Sequence, residues 1–507
     1  MARFRRSKGC EGCRARRRRC DEASPSCGLC FKRGIHCVYG DQLNVVFVRC
    51  GPKPMPPRDA SRDRHQTKSN ESGASLPSVE NVPQACLATA YRLQTHGNFL
   101  GVYLPQTSAT ATSATCTTAW LHSAYELSST DQLLSDALSA LSIQCLAHDG
   151  DLGAESQSQL LCGRVIRNLP KRLDARSQAL GDTTLACVMV LNLLWSHRAN
   201  REGASGWLFH AHGISALIHA RGARNHSSDF GRELVSGSRL ISLVGTIGKR
   251  KADWSQLPGG TIAPGDSRAD FLLLFDILQG LPSTLEQLDT VSRLASEGNL
   301  KDAEAIARAL IETCHVLTAQ LKDWRDGLDT HCSDLGVTQL VSEEPSELYQ
   351  SLPIDSPLRI FPTYFCYPNI DLAQQVLLYM VGNVFLWTVR AGMEDALDSM
   401  QPQRQTDVTP PLRPGEIFGA ERACRMALQV AQSLEYFVRP GMGLAAIDIF
   451  GFPITFIYNW LTDRNVPERM WFEVIFGHLR TINSGYAAFL ETATKLHGEC
   501  DIFDLLR

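Results

Sequence analysis

No run of 18 uninterrupted apolar residues occurs in the 507-residue chain, so length alone marks no membrane span. The longest candidate, Val376 to Val389, is short and holds Asn383. The first residues carry charge but no apolar leader core, which argues against a secreted, disulfide-built chain. The H-E-x-x-H and P-loop signatures are both missing, which leaves metalloprotease and P-loop nucleotide chemistry without footing. Gly441-Met-Gly443-Leu-Ala-Ala446 has the outline of G-x-G-x-x-A. A helical pattern precedes it where a nucleotide fold needs a strand, so it predicts a helix–helix turn. Residues 51–84 contain no aromatic residue, but six prolines and five serines. Such a composition buries too little surface to order itself and reads as a flexible tether. No a/d heptad survives those prolines, which excludes a coiled coil there.

What the chain does have is cysteine, concentrated at one end. Cys10, Cys13 and Cys20 recur at an offset of 17 as Cys27, Cys30 and Cys37, each half reading C-x2-C-x6-C. A structural zinc takes four ligands in a tetrahedron. Two zincs need eight ligand positions, and six thiolates fill them only if two cysteines bridge both metals. Pseudo-symmetry gives that role to the first cysteine of each half, Cys10 and Cys27. Other frameworks fit less well. An eight-ligand cross-brace is short of donors, because His36 is the sole histidine before His65. A haem attachment site needs histidine after C-x-x-C, and Phe31 follows Cys30. A redox C-x-x-C belongs at a βαβ helix start, and no such pattern is present. The other 11 cysteines are scattered singly, as reduced core cysteines are.

The residues around the cluster are basic. Arg14, Arg16, Arg17, Arg18 and Arg19 lie between Cys13 and Cys20, and Arg3, Arg5, Arg6 and Lys8 precede the cluster. Residues 1–40 hold 11 Lys+Arg against three Asp+Glu, a formal +8, which six thiolates and two zincs reduce to +6. The whole chain is −3, so residues 41–507 carry −11. A basic, metal-stapled head on an acidic body points to a polyanionic partner, nucleic acid first.

The doubled spacing, the basic run after the second cysteine and Pro25 in the central loop resemble the fungal zinc binuclear cluster (Zn2Cys6) transcription factors. The likeness covers about residues 8–40. It implies a short helix after each C-x2-C pair, the first entering the DNA major groove. It also implies that the third and fourth residues after the second cysteine, here Arg16 and Arg17, read a CGG triplet. Many relatives carry lysine there, but a guanidinium can donate two hydrogen bonds to guanine O6 and N7. Arg14, Arg18, Arg19, Arg5, Arg6 and Lys8 are expected on phosphate, which positions the module without reading bases.

The rest of the chain reads as helix. Leu133, Leu134, Ala137, Leu138 and Leu141 form one apolar stripe, and Ile306, Leu310, Leu317, Leu321 and Trp324 another. Ser283 with Glu286 predicts a capping box. Pro467 predicts the first turn of a long helix through Leu490. Breaks near 222–237, 250–267, 328–356 and 400–415 predict loops. Trp207 to Gly222 resembles a helix of the fungal-specific transcription factor domain, with Gly213 at a close helix contact and His210, His212 and His219 as packed residues rather than ligands. The end, Asp501-Ile-Phe-Asp504-Leu-Leu506, alternates acidic and bulky residues as activation segments do, and packing as a last helical turn is the favoured alternative.

The expected fold class is therefore mainly α: a two-zinc Zn2Cys6 head (1–40), a disordered linker (41–84) and a large all-helical regulatory domain (85–507). The resemblance implies a nuclear, non-enzymatic, sequence-specific regulator of RNA polymerase II transcription that activates from CGG-type sites. Its cofactors would be two Zn2+, and its partners CG-rich double-stranded DNA and transcriptional coregulators, with no membrane. Any homodimer would form through the helical domain. Relatives include regulators of metabolic and secondary-metabolite gene clusters. The alternative is a repressor or a partner-dependent coregulator with weak DNA binding, against which the Arg16–Arg17 pair stands.

Overall fold

The computed structural model describes residues 84–106, 116–147, 151–198, 203–222, 228–252, 269–334, 341–400 and 414–496, with Leu29 and Lys32. The chain divides into two units, Met1–Val46 and Phe47–Arg507. In the first, Leu29 is helical and half-buried, and Lys32 is exposed in a turn.

The second unit is mainly α, as the periodicity predicts. It opens with α1 (Gln84–Tyr103), α2 (Ala119–Leu127), α3 (Gln132–Leu146) and α4 (Leu152–Asp174). A single turn, α5 (Arg176–Ala179), leads to α6 (Asp182–Ser196), α7 (Gly203–Arg221) and α8 (Asp229–Lys249). Then come α9 (Ala269–Leu278), α10 (Leu281–Ser296) and the 35-residue α11 (Leu300–Asp334). Two short strands, β1 (Ser342–Pro345) and β2 (Thr363–Cys366), flank α12 (Glu347–Ser351). They pair antiparallel, Ser342 opposite Cys366 and Pro345 opposite Thr363. The chain continues through α13 (Ile370–Met400), α14 (Pro414–Val438), α15 (Gly443–Asp463), a 3-10 turn (Pro467–Met470), α16 (Trp471–Ile482) and α17 (Ser484–Leu496).

Local chemistry sets several helix starts. The Asp131 carboxylate accepts from the amides of Leu133 and Leu134, Asp151 from Gly153 and Ala154, and Ser228 from Gly231. Each satisfies amides that a helix cannot pair internally. The apolar stripes then do the packing. All five residues of the α3 stripe are buried, against α1, α4 and α6. On α11, Leu310, Leu321 and Trp324 are buried, and Ile306 and Leu317 pack beside them, facing α10 and α13. Each fully buried leucine contributes about 1.5–3 kcal/mol. α13 and α15 are long and apolar enough to cross a bilayer, but 72% of each apolar window is buried inside the helical array. That is how core helices sit.

Four local expectations are corrected. Ser283 does not cap α10. The helix starts earlier, at Leu281-Pro282, with Gly280 at its cap, and the Ser283 hydroxyl donates back to the Gly280 carbonyl. Glu286 turns outward to accept from the Ala252 amide. The long helix after Pro467 is two helices: Asn483 is extended (φ −154°, ψ 97°), and its side chain accepts from the Tyr486 amide to start α17. The loop expected over 222–237 ends at Ser228, whose cap begins α8. The loop expected from 328 begins only after α11, which runs on to Asp334 because Leu328 is buried in the core.

The Gly441–Gly443 turn is the helix–helix junction expected. Both glycines have positive φ, 85° and 72°. A Cβ on Gly443 would lie 2.5 Å from the Tyr103 carbonyl oxygen, and the Gln106 amide donates to the Gly441 carbonyl at 2.7 Å. The turn therefore seats the end of α1, a contact the motif itself did not reveal.

Candidate metal centre and nucleic-acid interface

Zinc is held by thiolate, not thiol, and the chain presents its cysteines in two chemical settings. In the helical body, the cysteines from Cys116 to Cys424 are buried or half-buried. Burial pushes the thiols of Cys145, Cys162, Cys187, Cys332 and Cys424 above the usual range, and that of Cys314 to about 12. Such thiols stay protonated and inert at neutral pH. The six head cysteines, by contrast, stand among 11 Lys+Arg, a field that favours thiolate. Six thiolates could hold two zincs if Cys10 and Cys27 were shared and Cys13, Cys20, Cys30 and Cys37 were terminal. Zinc would supply the head's cross-links.

The expected ligands Cys10, Cys13, Cys20, Cys27, Cys30 and Cys37 lie outside the described residues. So do Arg5, Arg6, Lys8, Arg14, Arg16, Arg17, Arg18 and Arg19, the tether up to residue 83, and residues 497–507 at the end. Within the head, exposed Lys32 adds one more cation between Cys30 and Cys37.

Trp207 to Arg221 is helical, as its pattern predicts, and closes α7, with Gly222 in the turn that follows. His212 donates through Nε2 to the Gly245 carbonyl at 3.0 Å, and His210 lies 6.1 Å from the Trp195 ring. Both are packing histidines, and burial lowers each to about 4. Gly213 is not the tight spot: a Cβ there would meet Val188 at an ordinary 3.7 Å. The close contacts fall on Gly206, where a Cβ would lie 2.5 Å from the Trp195 ring, and on Gly245, 3.2 Å from Ala211. The small residues facing Trp195 and α7 set the spacing, not the glycine inside the motif.

One cluster in the body had no sequence signal. The Tyr103 hydroxyl donates to Asp448 Oδ2 at 2.6 Å, and His197 Nε2 approaches the same oxygen at 3.3 Å. Asn483 Nδ2 lies 3.3 Å from His197 Nδ1, and Tyr486 donates to the Ile447 carbonyl. Residues up to 345 positions apart meet here, beyond the reach of any local pattern. A His–Asp pair invites a catalytic reading, but burial and the Asp448 charge hold the neighbouring Cys145 thiol well above its usual range. The cluster fastens α1 to α15 and to the α16–α17 junction.

The family comparison falls on the head. Residues 8–44 match the fungal Zn(2)-Cys(6) binuclear cluster domain. The chain is similar to the Zn(2)-C6 fungal-type transcription factor afumD of Aspergillus fumigatus (strain CBS 144.89 / FGSC A1163 / CEA10), 32% identical over 113 residues. That match covers 18% of this chain and spans about 30% of the relative's length. No solved structure matches the chain. The candidate functional site is thus the head, a fungal Zn(2)-Cys(6) binuclear cluster domain over residues 8–44.

Proposed function

We propose that the protein is a zinc-dependent, sequence-specific DNA-binding regulator of RNA polymerase II transcription, acting in the nucleus by binding rather than catalysis. One observation carries this reading: the doubled C-x2-C-x6-C with an arginine run inside its first half, in a segment that matches the binuclear cluster domain. Zinc loading supplies much of the head's folding free energy, on the order of 10 kcal/mol or more for structural sites. The first helix then carries Arg16 and Arg17 to guanines of a CGG-type site, and Arg14, Arg18, Arg19, Arg5, Arg6 and Lys8 hold phosphates. The helical body serves regulation, self-association and coregulator contact, and the output is activation. The test is zinc content together with DNA affinity against salt. Two zincs per chain and a log–log salt slope of about −0.9 per phosphate contact support the reading. One zinc, or a salt-independent affinity, counts against it.

A further inference from the structure

The helical body carries a cleft that none of the DNA chemistry uses. It is an open cleft lined by α3 and α4, has a volume of about 420 Å³, and is also lined by Gln178 of α5. That volume lies in the range of small-molecule sites, roughly 300–1,000 Å³. One wall is a single face of α4, where Arg164, Asn168, Lys171 and Arg172 recur at i, i+4, i+7 and i+8. The opposite wall is α3, with Gln132 and Asp136 one turn apart.

The charges are arranged rather than scattered. Arg172 is clamped bidentate on the Asp131 carboxylate, Nη1 to Oδ2 at 2.7 Å and Nη2 to Oδ1 at 2.8 Å. Its guanidinium is therefore fixed before any ligand arrives. Asp136, only 6% exposed, accepts from Gln132 at 2.7 Å and from Arg164 at 3.3 Å. That long single contact leaves most of the Arg164 donor fork, 47% exposed, directed elsewhere. Lys171 is exposed and touches Asn168 at 3.3 Å. With Asp131 included, the cleft holds three cations against two carboxylates, a local excess of one positive charge on a body that is −11 overall. A concentration of positive charge in a concave site of an acidic body focuses anions.

We propose that this cleft binds a small organic or inorganic anion carrying carboxylate or phosphate groups. Arg164 and Lys171 stand seven residues apart on one helix face, about 10 Å along its axis. They would grip the two ends of a dianion, or one end each of a smaller anion in alternate poses. The amides of Asn168 and Gln178 hydrogen-bond its middle. Arg172, held by Asp131, forms the rigid floor. The site lies within the helical body, and its occupancy is read without DNA.

The test is calorimetry and thermal unfolding of the full zinc-loaded chain with glutarate, with inorganic phosphate, and with sodium chloride at matched ionic strength. Glutarate or phosphate should raise the unfolding temperature beyond chloride, with a measurable heat of binding. A response to glutarate alone assigns a carboxylate ligand, and to phosphate alone a phosphate ligand. In R164Q/K171Q the affinity should fall on the order of tenfold or more, the loss expected for charge-assisted hydrogen bonds. Because Lys171 is exposed, the single variant K171Q keeps the fold and must by itself weaken binding. Equal binding by wild type and K171Q, or no response beyond chloride to either anion, overturns the proposal.

Discussion

At the scale of single residues, the head's proposed labour divides between sulfur and guanidinium. Removing one terminal thiolate leaves one zinc with three ligands, and metal-coupled folding fails with it. Cys13→Ala is therefore expected to lose a zinc and DNA binding together, as read by metal analysis and by anisotropy on a CGG-containing duplex. Retained sequence-specific binding in that variant would remove Cys13 from the ligand set. The arginines part company by what they touch. Arg16→Ala should relax discrimination at one base, by about 1–3 kcal/mol. Arg18→Ala should weaken every sequence alike and reduce the salt slope by about one contact. Competition titrations on matched and altered sites distinguish the two, and identical behaviour of the variants contradicts the division.

At the scale of elements, helices follow from apolar periodicity, and their junctions follow from partners distant in sequence. The turn between α14 and α15 shows this. Gly443 has φ 72° and faces the Tyr103 carbonyl, so Gly443→Ala adds both a left-handed backbone cost and a backbone clash. A destabilisation of about 1–3 kcal/mol is expected by denaturant unfolding, and an unchanged midpoint would mean that α1 does not seat there. The stripes on α3 and α11 were legible because burial of one helix face imposes its own spacing. The capping box at Ser283 was misleading because Pro282 starts α10 a turn early and Glu286 finds the Ala252 amide across the fold. The break at Asn483 was written in Asn483-Ser484-Gly485, turn-forming residues that a continuous apolar pattern outweighed. The binuclear cluster domain over residues 8–44 was legible because cysteine spacing is local. The Tyr103–Asp448–His197 cluster and the α3–α4 cleft were not, since each is assembled by tertiary packing.

At the scale of the whole molecule, the body should be acid-sensitive. Burial lowers His96, His210 and His212 to about 4 each, with Arg92 aiding at His96 and Lys249 at His212. Between about pH 6.5 and 4 the unfolded chain binds protons at these histidines that the folded chain refuses. Stability from these groups is full above pH 6.5 and is lost as pH falls towards 4. Asp371 acts in the opposite sense. Burial raises it to about 6, so from pH 6 down to its ordinary range the folded chain binds the extra proton. Three histidines outweigh one carboxyl, and the unfolding temperature is expected to drop from pH 7 to pH 5. The drop should be smaller in His212→Asn. A flat profile over that range would contradict the burial of these rings.

Charge organises the molecule at the same scale: a head of formal +8 on a body of −11. Such a head finds polyanions by electrostatics and selects among them by a few guanidinium contacts. The most direct measurement is selection from a random DNA library by the full chain, once zinc-loaded and once after chelation. A zinc-dependent reader yields enriched CGG-type triplets only in the loaded state. Triplets paired at fixed spacing would mean that two heads bind one site together. Loaded protein that enriches no sequence, or enrichment that survives chelation, would contradict a zinc-built DNA reader.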